Sequence, residues 1–258
     1  MKIVQISQTT SLAVKPLYPI MNSDESTILI FLHEALGSIA QWKSFPQDLC
    51  EALQLNGIIY EREGHGNSSP LSQLRDKNYM HDYAFKELSS LIEIILSPDK
   101  KVLLIGHSDG ASIALLFASR YPKNVIGVVS MAAHVIVEDL TLEGIVPAVE
   151  AFEMKKLEGL RKYHGEKTND LFYAWAKTWN LPSFRDWNIC NELKIINCPV
   201  LAIQGENDQY GSEKQLLLIQ ENIPHKTTLK LIKNCGHHPH LERGLDVIQL
   251  IKDWKKIE

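Results

Sequence analysis

The sequence predicts an α/β protein with a mostly parallel sheet flanked by helices, and three observations carry that expectation. Short β-branched or leucine-rich runs alternate with longer stretches of helical pattern along the 258 residues, the rhythm of repeated strand-helix units. One strand-turn-helix junction is sharply marked: the apolar run Val102-Leu103-Leu104-Ile105 leads into Gly106-His107-Ser108-Asp109-Gly110, and Ala111, Ala114 and Ala118 then recur at helical spacing before Pro122 closes the segment. Residues able to do chemistry follow the apolar runs, where an open parallel sheet binds its ligands.

Taken in order, the stretch to Pro19 reads as an initial strand or hairpin at the sheet edge. Strands are expected over 27–32, 57–60, 101–105, 125–131, 200–204 and 228–232, and helices over 40–53, 79–96, 111–120 and 240–255. Between 135 and 190 the alternation lapses into helical, aromatic-rich sequence. That lapse predicts a helical cap, 135–190, inserted into a core made of 1–134 and 191–258. A chain of this length supports one core with an insertion better than two independent domains.

Composition narrows the partners. A net charge of −4 offers no basic surface for nucleic acid, so a small, neutral molecule is the expected partner. Residues 1–11 lack the charged-then-apolar layout of a secretory signal, and no apolar stretch is long enough to cross a bilayer, which predicts a cytoplasmic protein without membrane insertion. Cys50, Cys190, Cys198 and Cys235 are scattered without metal-ligand spacing and read as reduced, mostly buried thiols.

The junction at Ser108 has the form G-x-S-x-G, in which a serine sits on a strained strand-to-helix turn with its hydroxyl exposed, and flanking glycines leave room for the crowded backbone. A serine hydroxyl is a weak nucleophile at neutral pH and needs a base, for which imidazole is suited. His237 follows the run 228–232 in Asn234-Cys235-Gly236-His237-His238-Pro239, and Asp208 follows 200–204 in Gly205-Glu206-Asn207-Asp208. Asp208 would orient and stabilise the imidazole of His237. Glu206, Glu138 and Asp139 are the alternative acids. A metal reading of His237, His238 and His240 is disfavoured, because no carboxylate or cysteine completes a spacing typical of zinc sites. His238 and His240 read instead as structural or pocket-edge residues.

These motifs, in the order Ser, Asp, His, resemble those of the α/β-hydrolase superfamily, serine-nucleophile branch with a small helical cap. Two further segments resemble it: Leu32-His33-Glu34-Ala35-Leu36-Gly37-Ser38 and Glu61-Arg62-Glu63-Gly64-His65-Gly66-Asn67-Ser68. The resemblance covers the whole chain. It implies an eight-stranded sheet, a lid after the sixth strand, and neither metal nor organic cofactor.

Acyl transfer needs N–H donors aimed at the developing oxyanion. The fold implies that of Asp109, and the resemblance adds that of Ala35. Glu34 departs from the family, which has glycine after this histidine; an outward orientation, or pairing with Arg62, is expected. His33, His65 and His107 read as structural, whereas His134 stands where the chain enters the cap and is a candidate pocket residue. In the cap, Leu171, Phe172, Trp175 and Trp179 repeat at helical spacing, with Phe152, Tyr163 and Trp187 nearby. Trp175 and Trp179 are the candidate substrate contacts. The expected activity is hydrolysis of carboxylic esters of small to medium hydrophobic substrates through an acyl-enzyme. Carbon–carbon bond hydrolysis, cofactor-free haloperoxidase or perhydrolase chemistry on the same three residues, and non-catalytic ligand sensing are the alternatives.

Overall fold

A computed structural model describes residues 1–18 and 24–257. Eight strands are present among them: β1 (Lys2–Gln5), β2 (Ser11–Leu17), β3 (Asp24–Leu32), β4 (Leu55–Tyr60), β5 (Lys101–His107), β6 (Val125–Met131), β7 (Val200–Gly205) and β8 (Thr227–Ile232). They form one sheet in the order β1-β2-β4-β3-β5-β6-β7-β8. The β1–β2 and β2–β4 pairs are antiparallel and all others parallel. The fold class read from the sequence holds. The expected edge element is a hairpin, β1–β2, and Pro19 lies outside the described residues.

Alternation along the strands builds two apolar layers, because successive side chains point to opposite faces. Ile28, Ile30 and Leu32 join Leu104, Val128 and Ala202 on one face, and Leu29, Phe31, Leu103, Ile105, Val129 and Leu201 cover the other. Helices fill both sides. In chain order they are α1 (Phe45–Leu53), α2 (Tyr79–Asp82), α3 (Ser89–Ile95), α4 (Asp109–Arg120), α5 (Asp139–Glu153), α6 (Arg161–His164), α7 (Thr168–Trp179), α8 (Cys190–Leu193), α9 (Lys214–Asn222), α10 (Pro239–Glu242) and α11 (Gly244–Ile257). The face with Leu29 is covered by Phe45 and Leu49 of α1 and Val247, Ile251 and Trp254 of α11. The other receives α4, whose residues 109–119 are all buried.

Three helices differ from the sequence pattern in a physically explicable way. The stretch 40–53 splits into a 3₁₀ turn, Ile39–Trp42, and α1, because Lys43 adopts φ +56° and Pro46 favours the first turn of a new helix. A π-helical segment, Tyr83–Leu88, joins α2 to α3. The last helix is interrupted at Arg243, between α10 and α11.

Residues 135–190 lead out from the end of β6 and return, and a bridge between Ile136 and Asn188 draws the two ends together. Among the described residues no helix is long and apolar enough to cross a membrane.

Candidate functional site

The turn after β5 is where backbone strain and close packing meet. Ser108 adopts φ +52°, ψ −122°, a conformation that costs a non-glycine residue about 1–3 kcal/mol. The strain is locked in from both sides. A Cβ at Gly110 would lie 2.1 Å from the Leu32 carbonyl oxygen, and one at Gly106 would lie 2.5 Å from the Ala111 Cα. Helix α4 therefore starts hard against the end of β3 and holds the Ser108 hydroxyl out of the strand.

Two other strand ends bring their side chains to it. Ser108 Oγ lies 2.9 Å from His237 Nε2, and His237 Nδ1 lies 2.9 and 2.8 Å from the two Asp208 carboxylate oxygens. Asp208 also accepts the N–H groups of Tyr210 (2.8 Å) and Gly211 (3.3 Å) and the side-chain amide of Gln204 (2.5 Å). His107 donates from Nε2 to the His237 carbonyl at 2.7 Å and so anchors the loop that carries the imidazole. Burial, with His134 and His238 alongside, holds His237 well below the ordinary histidine range. Its ring is neutral at pH 7 and free to accept a proton. Burial also raises the Asp208 carboxyl, against the pull of the backbone N–H groups it accepts.

Peptide geometry turns two N–H groups away from the carbonyls that precede them. The Glu34 carbonyl is held by His33 Nδ1 at 2.7 Å and Arg62 Nη2 at 2.8 Å, so across that trans peptide the Ala35 N–H points the opposite way. The Ser108 carbonyl accepts the N–H groups of Ala111 and Ser112, so the Asp109 N–H, at the first position of α4, points out of the helix. Ala35 and Asp109 both line a cavity of about 170 Å³ that Ser108 and His237 also border. Hydroxyl, base, orienting acid and paired N–H donors are the parts required for attack on a carbonyl carbon.

Segment 135–190 contributes Thr141, Ile145, Trp175 and Trp179 to the walls of this cavity, which His134 also lines. His134 Nε2 lies 3.1 Å from the Tyr210 carbonyl, and its ring meets Trp179 edge to face at 5.0 Å. Leu171 and Phe172 are buried away from this cavity, Phe172 stacking on Phe152 at 3.8 Å. Tyr163 and Trp187 do not line it either.

The alternative acids are engaged elsewhere. Glu138 binds Ser212 and Gln215, Asp139 pairs with Arg185, and exposed Glu206 accepts the Asn234 N–H. Glu34 departs from expectation. Arg62 donates to the His33 and Glu34 backbone carbonyls, not to the Glu34 carboxylate, which turns inward, accepts the Leu36 N–H at 2.6 Å and lines the cavity. Among the described residues no cation pairs with it, and burial pushes its carboxyl up to about 7. The arginine is consumed in fixing the backbone turn, which leaves the acid to adapt by shedding charge.

Three contacts escaped the sequence reading. Tyr79 donates its hydroxyl to the Asp109 carboxylate at 2.7 Å, and Trp179 Nε1 donates to the same hydroxyl at 3.0 Å. Nothing in the local pattern marks Tyr79, whose partners are 30 and 100 residues away. Gln204 does carry a signal, as a polar residue at the end of the apolar run 200–204.

Comparison with known proteins is consistent with this geometry. The model of the alpha/beta hydrolase family matches residues 29–250. Serine hydrolase BPHL of Homo sapiens is 26% identical over 209 residues, covering 76% of this chain and 68% of its own. A proline iminopeptidase of Thermoplasma volcanium is 22% identical over 254 residues, with 83% of each chain covered. A solved carboxylesterase structure from Nitrososphaera gargenis superposes with TM-score 0.78 at 18% identity, covering 99% of this chain and 98% of that one. The chain belongs to the alpha/beta hydrolase family, and hydrolysis is the activity that this membership supports.

Proposed function

We propose that the protein is a serine esterase that cleaves carboxylic esters of small to medium hydrophobic substrates through an acyl-enzyme. The observation that carries this reading is the continuous line from Ser108 Oγ to His237 to Asp208, opening on a cavity walled by Trp175 and Trp179. Ser108 Oγ attacks the ester carbonyl as His237 Nε2 takes its proton, and Asp208 stabilises the imidazolium. The Ala35 and Asp109 N–H groups accept the charge that develops on the carbonyl oxygen. His237 then protonates the leaving alkoxide, and in the second half water repeats the sequence and releases the acid. Segment 135–190 acts as the cap, its indoles excluding water from the acyl group.

The test is a panel of aryl and alkyl esters of graded acyl length, assayed beside carbon–carbon and perhydrolysis substrates, with Ser108→Ala as control. Turnover of short and medium hydrophobic esters that Ser108→Ala abolishes is the expected result. Preferential cleavage of a carbon–carbon bond would replace the ester reading, and no turnover of any substrate by folded protein would favour a sensor.

A further inference from the structure

Tyr79 lies outside the cavity at Ser108, yet its hydroxyl touches two residues that line it. Asp109, whose carboxylate accepts the hydroxyl proton at 2.7 Å, follows the nucleophile in the chain. Trp179, whose Nε1 donates to the hydroxyl at 3.0 Å, ends α7. All three side chains are buried: Tyr79 is 5% exposed, and Asp109 and Trp179 are 2% exposed each.

These bonds can run in one direction only. An indole N–H donates and cannot accept, a carboxylate accepts and cannot donate, and a phenol hydroxyl has one proton to give. Burial, with Asp109 beside it, raises the Tyr79 hydroxyl well above its ordinary value, so that proton stays. The order Trp179, Tyr79, Asp109 is therefore fixed, and each bond polarises the next. The ring that carries the hydroxyl is held as well. Tyr83 meets it edge to face at 6.1 Å, Phe184 lies 6.1 Å away, and the Arg75 guanidinium sits 5.3 Å from its centroid.

The place of the Asp109 carboxylate matters because Asp109 opens α4. A carboxylate in the first turn of a helix is drawn to the free N–H groups there, its own included. Turned toward its own N–H, it would occupy the donor that the esterase reading assigns to the oxyanion and bring a like charge beside it. The bond to Tyr79 draws it toward α2 instead.

We propose that Tyr79 is a positioning residue for the chemistry at Ser108. It keeps the Asp109 carboxylate off the Asp109 N–H, and through Trp179 it ties that donor to the wall that meets the acyl group. This inference rests on the esterase reading.

Tyr79→Phe removes the hydroxyl and keeps the ring. On p-nitrophenyl butyrate, kcat and kcat/KM are expected to fall together by about tenfold, with KM within about twofold, as for a contact that matters in the transition state. Inhibition by a trifluoromethyl ketone, which Ser108 converts to a hemiketal oxyanion, should weaken by the same factor. The cost should disappear with the carboxylate: in an Asp109→Asn background, Tyr79→Phe is expected to lower kcat/KM by about twofold at most. That second comparison leaves no buried carboxylate without a donor, so it decides by itself if Tyr79→Phe alone fails to fold. A larger cost in the Asp109→Asn background, or kcat/KM like that of the parent in folded Tyr79→Phe, overturns the assignment while leaving the esterase reading intact. If the parent protein cleaves no ester and Ser108 takes up no ketone, the esterase reading fails and the role of Tyr79 with it.

Discussion

The two walls of the cavity at Ser108, one from the strand ends and one from segment 135–190, are built by different means. The wall at the strand ends is a backbone construction: Ser108 is fixed by a positive φ and glycine-tight packing, His237 by the bond from His107 to its carbonyl, and Asp208 by two backbone N–H groups. The wall from segment 135–190 is a side-chain construction. Trp175 and Trp179 are placed by aromatic packing, and side-chain hydrogen bonds tie the segment to the rest of the molecule: Trp179 to Tyr79, His164 to Gly66 and Leu36, Lys167 to His65 and Ser68, Thr141 to Tyr210, Thr178 to Arg75, and Glu138 to Ser212 and Gln215, the last also bound to the Val135 and Ile136 backbone. Backbone geometry tolerates little displacement, which suits bond making. Side-chain packing can be exchanged, which suits selection of the substrate.

The largest effects should follow from breaking the first wall. Ser108→Ala is expected to lower kcat/KM by about 10⁴-fold or more, and Asp208→Asn by a similar order, with melting temperatures near that of the parent. Glu206→Gln and Glu138→Gln should change activity little, since neither touches His237. Reversal of that ranking in steady-state assays would reassign the acid.

Changes in the second wall should separate stability from selectivity. Trp179 is 2% exposed and packs on His134, Phe184 and Trp187, so Trp179→Ala should destabilise the fold by about 3–5 kcal/mol in denaturant titration. Trp175, which faces the cavity and meets Phe172 edge to face, should instead change the ratio of kcat/KM between aryl and alkyl esters. Equal loss on every substrate in both variants would make the indoles structural and leave His134 as the next pocket residue to test.

Glu34 sharpens the contrast, because it is an acid of the strand-end wall that lies open to the cavity. Its carboxyl is pushed up to about 7 by burial, reinforced by Asp109 and opposed by the Leu36 N–H and Arg62. Below that pH it is neutral, and above it a negative charge appears beside the developing oxyanion. Activity of the parent protein should fall by about tenfold at most as pH rises from 6 to 8, and Glu34→Gln should flatten that limb. A limb that survives in Glu34→Gln belongs to another group.

The smallest effect concerns how segment 135–190 is held. The Gly66 N–H donates to His164 Nδ1 at 3.0 Å, and His164 Nε2 donates to the Leu36 carbonyl at 2.9 Å, an arrangement that requires a neutral ring. Burial lowers the His164 pKa. The unfolded chain therefore binds the proton first, so this clamp is complete above about pH 6.5 and weakens as pH falls toward the folded value. His33, His65, His107, His237 and His240 are held low by burial in the same sense. Melting temperature should drop on acidification, and the drop should be smaller in His164→Gln by an amount equivalent to about 1 kcal/mol.

What was legible in the sequence follows the same division. The strand-end wall is written in short segments, since each strand, turn and functional residue lies within a few positions of the next, and glycines mark the close approaches. Glu34 was misread because its surroundings are assembled from afar: Arg62, 28 residues on, binds the Glu34 carbonyl and leaves the carboxylate unpaired. Tyr79 was missed because its role depends on Asp109 and Trp179 converging on one hydroxyl. The helix breaks at Lys43 and Arg243 were missed because apolar periodicity runs on through a turn that tertiary packing dictates.

The central claim is that Ser108 is a nucleophile activated by His237. It is tested most directly by treating folded protein with a fluorophosphonate at pH 7 and locating the adduct by peptide mass spectrometry. One adduct, on Ser108, formed rapidly in the parent protein and at least about 10³-fold more slowly in His237→Ala, is the predicted result. No adduct on Ser108, or an adduct formed equally fast without His237, would contradict it.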